Sequence, residues 1–172
     1  MKVVFISDIH GIYKYLFLLE EKNLIKDCDY FIILGDIFGS VEANNLKIKH
    51  FLKKYENKLL ITKGNCDNFN EIDGINSKIE DIKYLKINSK DFYFTHGNVY
   101  NCYSNDTFTD GVLVYGHEHK PYIKKDIDMI YVNPGSISLP RTEFGPSYGV
   151  INDNKITIYE VVSDKVLFTS EF

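Results

Sequence analysis

The sequence predicts an α/β domain built on two β-sheets, and three observations carry that reading. Up to residue 62, short unbroken apolar runs alternate with segments of helical periodicity. From residue 77 the texture changes to a succession of short strands. No linker, repeat or low-complexity stretch separates the halves, so residues 1–172 are read as one domain.

Val3 to Ile6 is apolar throughout and ends in Ser7, the pattern of a strand buried on both faces. Ile12, Leu16 and Leu19, flanked by Tyr15 and Glu20, then recur at helical spacing up to Asn23. Tyr30 to Leu34 is a second buried strand, Leu46 to Tyr55 an amphipathic helix with Ile48, Phe51, Leu52 and Tyr55 on one side, and Leu59 to Thr62 a third strand. A β-α-β-α-β order implies a parallel sheet with right-handed crossovers. Further strands are expected at Tyr84 to Ile87, Phe92 to Thr95, Val112 to Tyr115, Met129 to Val132, Tyr148 to Ile151 and Ile156 to Val162. A polar turn, Asn88 to Asp91, divides the first two, and Asp153-Asn154 is hairpin chemistry between the last two.

Composition excludes several classes. With 44% apolar and 26% charged residues the chain matches soluble globular proteins, not disordered or fibrous ones. A length of 172 residues buries enough surface to fold without staples. The net charge of −4 argues against charge-driven binding to nucleic acid or an anionic membrane. Cys28, Cys66 and Cys102 are odd in number and widely spaced, which speaks against a disulfide framework. The apolar run near the N-terminus is too short for a signal segment or a span, so a cytoplasmic protein is expected.

Chemistry-bearing residues gather just after the apolar strands. The first strand ends in Ser7-Asp8-Ile9-His10-Gly11, the second in Gly35-Asp36, the third in Gly64-Asn65-Cys66-Asp67, and later ones in His96-Gly97 and Gly116-His117-Glu118-His119. In open α/β sheets ligands collect at the carboxyl ends of strands. Taken singly, each motif has a bland reading as a turn, a helix cap or a core histidine. Together they place four of the five histidines at one edge, leaving only His50, in a helix, as a surface residue. Asp8 and His10, like His117 and His119, alternate by two, so an extended backbone would aim each pair at one ion. Mixed imidazole, carboxylate and amide donors suit Mn, Zn, Fe or Ni. Seven ligands with a central carboxylate suit two ions about 3.5–4 Å apart.

The series DIHG, GD, GNCD, THG and GHEH, followed by Asn133-Pro134-Gly135-Ser136, resembles the calcineurin-like metallophosphoesterases, and within them the YfcE-like bacterial phosphodiesterases. The resemblance runs from Met1 to Ile158. It implies a four-layer α/β/β/α sandwich and two divalent ions, with manganese favoured and Ni, Zn, Fe or Co as alternatives. It assigns Asp8, His10 and His119 to one ion, Asn65, His96 and His117 to the other, and Asp36 to the bridge, with Asp36, Asn65 and His96 closest to the reaction. The implied chemistry is in-line attack on the phosphorus of a small phosphodiester by a metal-bridging hydroxide. Stable nucleic-acid binding is not expected; a homodimer is. The runner-up is a non-catalytic interaction scaffold, because a eukaryotic retromer subunit uses the same fold with a degraded metal site.

This sequence departs from many relatives at Cys66, where they carry a histidine taken to protonate the leaving oxygen. A thiol of pKa about 8.5 is a poor acid for that step, so a preference for esters with good leaving groups is expected. Asp67 is read as a support of the loop or of a histidine, Ser136 as a support residue, and Arg141 as a candidate clamp on phosphate oxygens. The segments Gly39 to Asn45 and Gly97 to Gly111, with Tyr100, Tyr103 and Phe108, are expected to rim the pocket.

Overall fold

The computed structural model describes residues 1–68, 74–104 and 106–172. In chain order its elements are β1 (Lys2–Ile6), α1 (Lys14–Glu21), β2 (Tyr30–Ile33), α2 (Glu42–Lys54), β3 (Leu59–Thr62), β4 (Ile79–Glu80), β5 (Ile82–Ile87) and β6 (Lys90–Thr95). They continue with β7 (Gly111–Tyr115), β8 (Pro121–Lys125), β9 (Met129–Pro134), β10 (Ser147–Asn152), β11 (Lys155–Glu160) and β12 (Val166–Glu171). The first sheet has the order β12-β11-β10-β1-β2-β3-β4 and the second β5-β6-β7-β9-β8.

Apolar runs without alternation occur where a strand is covered on both sides. In β1, Val4 and Ile6 face α1 and α2, packing with Leu16, Leu19, Ile48, Phe51 and Leu52, while Val3 and Phe5 face the second sheet. That second interface brings Ile32 and Leu34 against Phe92, Phe94, Val112, Val114 and Val132. β1, β2 and β3 are parallel, as are β6, β7 and β9. With β4 also parallel to β3, four neighbouring strands of the first sheet and three of the second send their carboxyl ends to one edge.

The two-sheet α/β architecture is the expected one, with differences in detail. α2 starts four residues earlier than its apolar periodicity shows, because Glu42 to Asn45 is a polar first turn. Three strands lie outside the expected set: β4 has only 2 residues, β8 begins with a proline and ends in two lysines, and β12 is a half-exposed edge. β11 stops at Glu160, not Val162. The outermost layer, over Leu113, Tyr115, Met129 and Tyr131, is irregular chain carrying Tyr100, Cys102 and Phe108; among the described residues it holds no helix. Among the described residues no helix is long and apolar enough to cross a membrane.

One register detail fixes how β10 joins the sheet. Gly149 pairs directly with Phe5, and a Cβ there would lie 2.0 Å from the Phe5 ring. The ring thus covers the glycine backbone, filling the space a side chain would take. Because Phe5 is fully buried, it cannot swing aside. Gly149→Ala should therefore destabilise the fold by about 1–3 kcal/mol through overpacking, read as a lower urea midpoint at unchanged m-value.

Candidate metal centre

The strand-end loops are stitched to one another before any side chain is considered. The β1 and β2 loops keep pairing beyond the ladder, with the amides of Asp8, His10 and Gly11 donating to the carbonyls of Gly35, Asp36 and Ile37. The Ile137 amide donates to the Ser7 carbonyl, and Gly116 to that of His96. The Asn-Pro-Gly-Ser segment adds side-chain ties. Ser136 and Ser138 Oγ both donate to the Asp8 carbonyl, at 2.7 and 2.9 Å, and Asn133 Nδ2 donates to the Gly116 carbonyl at 2.8 Å. Ser136 is thus a support, as read from the sequence.

The backbone is not extended where the histidine pairs sit. Asp8, His10, Asp36, His117 and His119 all have positive φ, between 46° and 66°. This corrects the extended reading of the x-Ile-x and x-Glu-x pairs. Left-handed residues at both ends of each pair turn both side chains toward the same edge and keep Ile9 wholly in the core. Such conformations cost of order 1 kcal/mol or more each for non-glycine residues, and half of the ten found among the described residues are here.

The side chains converge as two groups. Asp8, His10 and His119 form one, Asp36, His96 and His117 the other, and His10, Asp36 and Cys66 lie together between them. His10 Nε2 lies 3.3 Å from His119 Nε2, and His117 Nδ1 lies 3.3 Å from His96 Nε2. Asn65, on the β3 loop, reaches His96 Nε2 with Oδ1 at 2.9 Å. Each carboxylate divides its oxygens. Asp8 Oδ2 accepts the His117 amide at 3.1 Å, leaving Oδ1 buried, without a hydrogen bond, 3.3 Å from His119 Nε2. Asp36 Oδ1 accepts the Cys66 amide at 2.8 Å, and Oδ2 faces one imidazole of each group, His10 at 3.6 Å and His96 at 3.5 Å.

Tautomers follow from the outer partners. His96 Nδ1 sits 2.6 Å from the Leu34 carbonyl and His119 Nδ1 2.6 Å from the Leu139 carbonyl. A carbonyl only accepts, so both Nδ1 atoms carry hydrogen and both Nε2 atoms turn inward. Burial opposes charge on His96 and His119, but Asp36 and Asp8 respectively outweigh it and raise both pKa values. Burial wins at His10 and His117 and lowers theirs. Burial also opposes ionisation of Asp36, yet His96 and the Cys66 amide hold its carboxyl well below the usual range.

This arrangement fits divalent cations. Donors about 2.0–2.2 Å from an ion stand roughly 3.0–3.5 Å from one another, which is the spacing of the imidazole and carboxylate atoms. A buried carboxylate oxygen with no hydrogen bond is costly, and a cation is the partner its position lacks. Asp36 Oδ2 lies between the two groups, within 3.6 Å of one imidazole of each.

Asp67 holds the scaffold. Its carboxylate accepts three buried amides, those of Asp36 and Gly64 at 2.9 Å each and of Ile37 at 2.7 Å, clamping the β2 loop to the β3 loop. Cys66 lies with His10 and Asp36. Partial burial and then the neighbouring carboxylates, led by Asp36, push its thiol up to about 11, so it stays protonated at neutral pH. Arg141 is exposed, its amide donates to the His119 carbonyl, and its charge acts on the His119 ring.

A cleft of about 300 Å³ adjoins the centre through Asn65 and is lined by Lys63, Asp81, Thr95, Asn98 and Tyr100 among others. Of the expected rim, Tyr100 lines this cleft, Phe108 buttresses it by an edge contact at 5.6 Å, and Tyr103 is solvent-exposed; position 105 lies outside the described residues. Gly39 and Asn45 bond to each other and stand apart from the cleft. His50 is exposed on α2, as expected. Signals missed in the sequence are Asn133 and Ser138, whose roles as loop anchors have no spacing signature.

Comparison with known proteins bears on this geometry. The family described as the calcineurin-like phosphoesterase superfamily domain matches residues 1–155. Phosphodiesterase YfcE of Escherichia coli is 25% identical over 178 aligned positions, covering 97% of this chain and 96% of that protein. The probable metallophosphoesterase YsnB of Bacillus subtilis is 26% identical over 160 positions, covering 88% and 83%. The solved structure of the Escherichia coli phosphoesterase YfcE superposes with a TM-score of 0.91 at 23% identity over 99% of both chains. Vacuolar Protein Sorting 29 from Cryptosporidium parvum does so with a TM-score of 0.67 at 21% identity, over 99% of this chain and 97% of that one. At these identities the structural likeness concerns the fold.

Removing the Asp67 clamp strands three amides. Asp67→Ala should cost about 3 kcal/mol or more in unfolding free energy, measured by chemical denaturation without added metal.

Proposed function

As a chain that belongs to the calcineurin-like phosphoesterase superfamily, the protein is a phosphate-ester hydrolase by family, and we propose that it is a dinuclear phosphodiesterase acting on small diesters. The observation that carries the reading is the division of oxygens at Asp8 and Asp36. One oxygen of each is spent on backbone, and the other is aimed at imidazoles whose lone pairs turn inward. The ligand groups are Asp8, His10 and His119, then Asn65, His96 and His117, with Asp36 common to both; manganese is the favoured metal. When bound, two divalent ions would supply neutralisation of phosphate oxygens and a water acidified toward neutral pH.

The chain's own residues do the rest. The Leu34 and Leu139 carbonyls fix the rings of His96 and His119, a tie of the kind that sets ligand orientation. Arg141, exposed and with its amide on the His119 carbonyl, is taken as the residue that holds non-bridging phosphate oxygens bidentately. The cleft beside Asn65 takes one ester arm of the diester. Cys66 keeps its proton, so no strong acid stands ready for the departing alkoxide. The reading also takes the protein as cytoplasmic, as a single domain and as a homodimer.

The test is hydrolysis of bis(p-nitrophenyl) phosphate and p-nitrophenyl phosphate by metal-stripped protein resupplied with Mn, Ni, Co, Zn or Mg. Turnover of the diester should require metal, and Asp36→Asn should reduce kcat/KM by about 10³-fold or more, the scale of lost electrostatic stabilisation. Metal binding without turnover of any ester would transfer the weight to an interaction scaffold.

Two further outcomes separate the roles of single residues. Arg141→Ala should raise KM for the diester about tenfold, the size of one charge-assisted contact, with a smaller change in kcat. Replacing one aryl group by an alkyl leaving group should depress kcat steeply; equal rates would show that an acid is present after all.

A further inference from the structure

Behind the Gly-His-Glu-His loop lies a partly buried line of hydroxyls that the reaction does not use. Tyr122 Oη donates to Glu118 Oε1 at 3.0 Å, and Glu118 is the residue between His117 and His119. Tyr122 Oη is also hydrogen-bonded to Tyr115 Oη and lies 3.6 Å from Cys102 Sγ, and the Cys102 amide donates to Tyr115 Oη at 3.1 Å. A carboxylate only accepts, and each phenol has one hydrogen. Tyr122 spends its hydrogen on Glu118, so Tyr115 must donate to Tyr122, and Tyr115 in turn accepts from Cys102. The polarity of the line is thereby set from end to end: Cys102 amide, Tyr115, Tyr122, Glu118.

Its two ends are functionally different places. Cys102 belongs to a loop closed by Asn101, whose Nδ2 donates to the Gly97 carbonyl and whose Oδ1 accepts the Tyr103 and Ser104 amides. That loop supplies Asn98, Val99 and Tyr100 to the cleft. Glu118 belongs to the loop whose flanking histidines enter the two ligand groups. We propose that Tyr115 and Tyr122 are positioning residues that couple the cleft loop, residues 97–104, to the histidine loop, residues 117–119, so that neither relaxes without the other. Hydrogen bonds in such a line polarise one another, so cutting any one weakens the rest.

The experiment compares Tyr115→Phe, Tyr122→Phe and the double variant. Deuterium uptake of the 97–104 peptide is read by mass spectrometry in metal-free protein, and half-saturating Mn and the KM for bis(p-nitrophenyl) phosphate are read in the loaded enzyme. Coupling predicts uptake about tenfold faster in both single variants and also in Glu118→Ala, which leaves the bonds of Cys102 to Tyr115 and Tyr122 in place. It also predicts a several-fold rise in half-saturating Mn and in KM in both, with kcat changed less, and a double variant no worse than the worse single one. The proposal is overturned if Tyr122→Phe leaves the uptake at the wild-type rate, or if the two effects add. Should Tyr122→Phe fail to fold, Glu118→Ala cuts the half-buried end and must speed the same uptake. The turnover arm rests on the phosphodiesterase reading, whereas the exchange arm does not, so wild-type protein inert to every metal and ester would sink that reading alone.

Discussion

Asp8 is the joint on which the edge of the molecule turns. Its Oδ2 takes the His117 amide from the second sheet, its carbonyl takes two serine hydroxyls from the loop after β9, and its own amide continues the pairing of β1 with β2. A single residue thus closes the two sheets against each other at their carboxyl edge. With that closure, four histidines from three loops share one small volume. Without it, the hydrophobic contact between sheets would still form, because it depends on Phe5, Phe92, Phe94 and their neighbours, but the His117 loop and the loop after β9 would lose their ties to the end of β1 at this residue.

The energetics run opposite to those of an ordinary core. Burying carboxylates beside imidazoles and holding five residues in left-handed backbone both oppose folding. The compensation is local: amides paired to Asp8, Asp36 and Asp67, and rings paired to the Leu34 and Leu139 carbonyls. What is left uncompensated, Asp8 Oδ1, is the atom that faces the imidazoles. Strain and unmet charge are concentrated where chemistry is proposed, while the layers beneath are conventionally packed.

Much of this was legible because strands buried on both faces leave an unmistakable apolar run, and the run ends where a ligand begins. β1, β2 and β3 read cleanly for that reason, and so did the gathering of Asp8, His10, Asp36, Asn65, His96, His117 and His119 at one edge. Two edge strands did not read: β8 and β12 are largely exposed or half-buried, and a pattern such as Pro-Tyr-Ile-Lys-Lys carries too few apolar residues to stand out. The first turn of α2 is polar and lacks a side-chain cap, so it had no start signal. The left-handed ligands, the three amides on Asp67 and the Tyr115–Tyr122 line were illegible for a deeper reason. They are relations between loops far apart in sequence, and no local spacing encodes them.

The left-handed ligand positions limit how this chain can drift. At φ near +57° a β-branched side chain collides with its own backbone, whereas glycine is free and asparagine and aspartate are tolerated. Substitutions at Asp8 and Asp36 that spare the fold are therefore confined to a few small or amide residues. A descendant that discarded the proposed chemistry but kept the architecture would carry that history as Asn or Gly at these positions, a fossil of the proposed ion site written in backbone geometry.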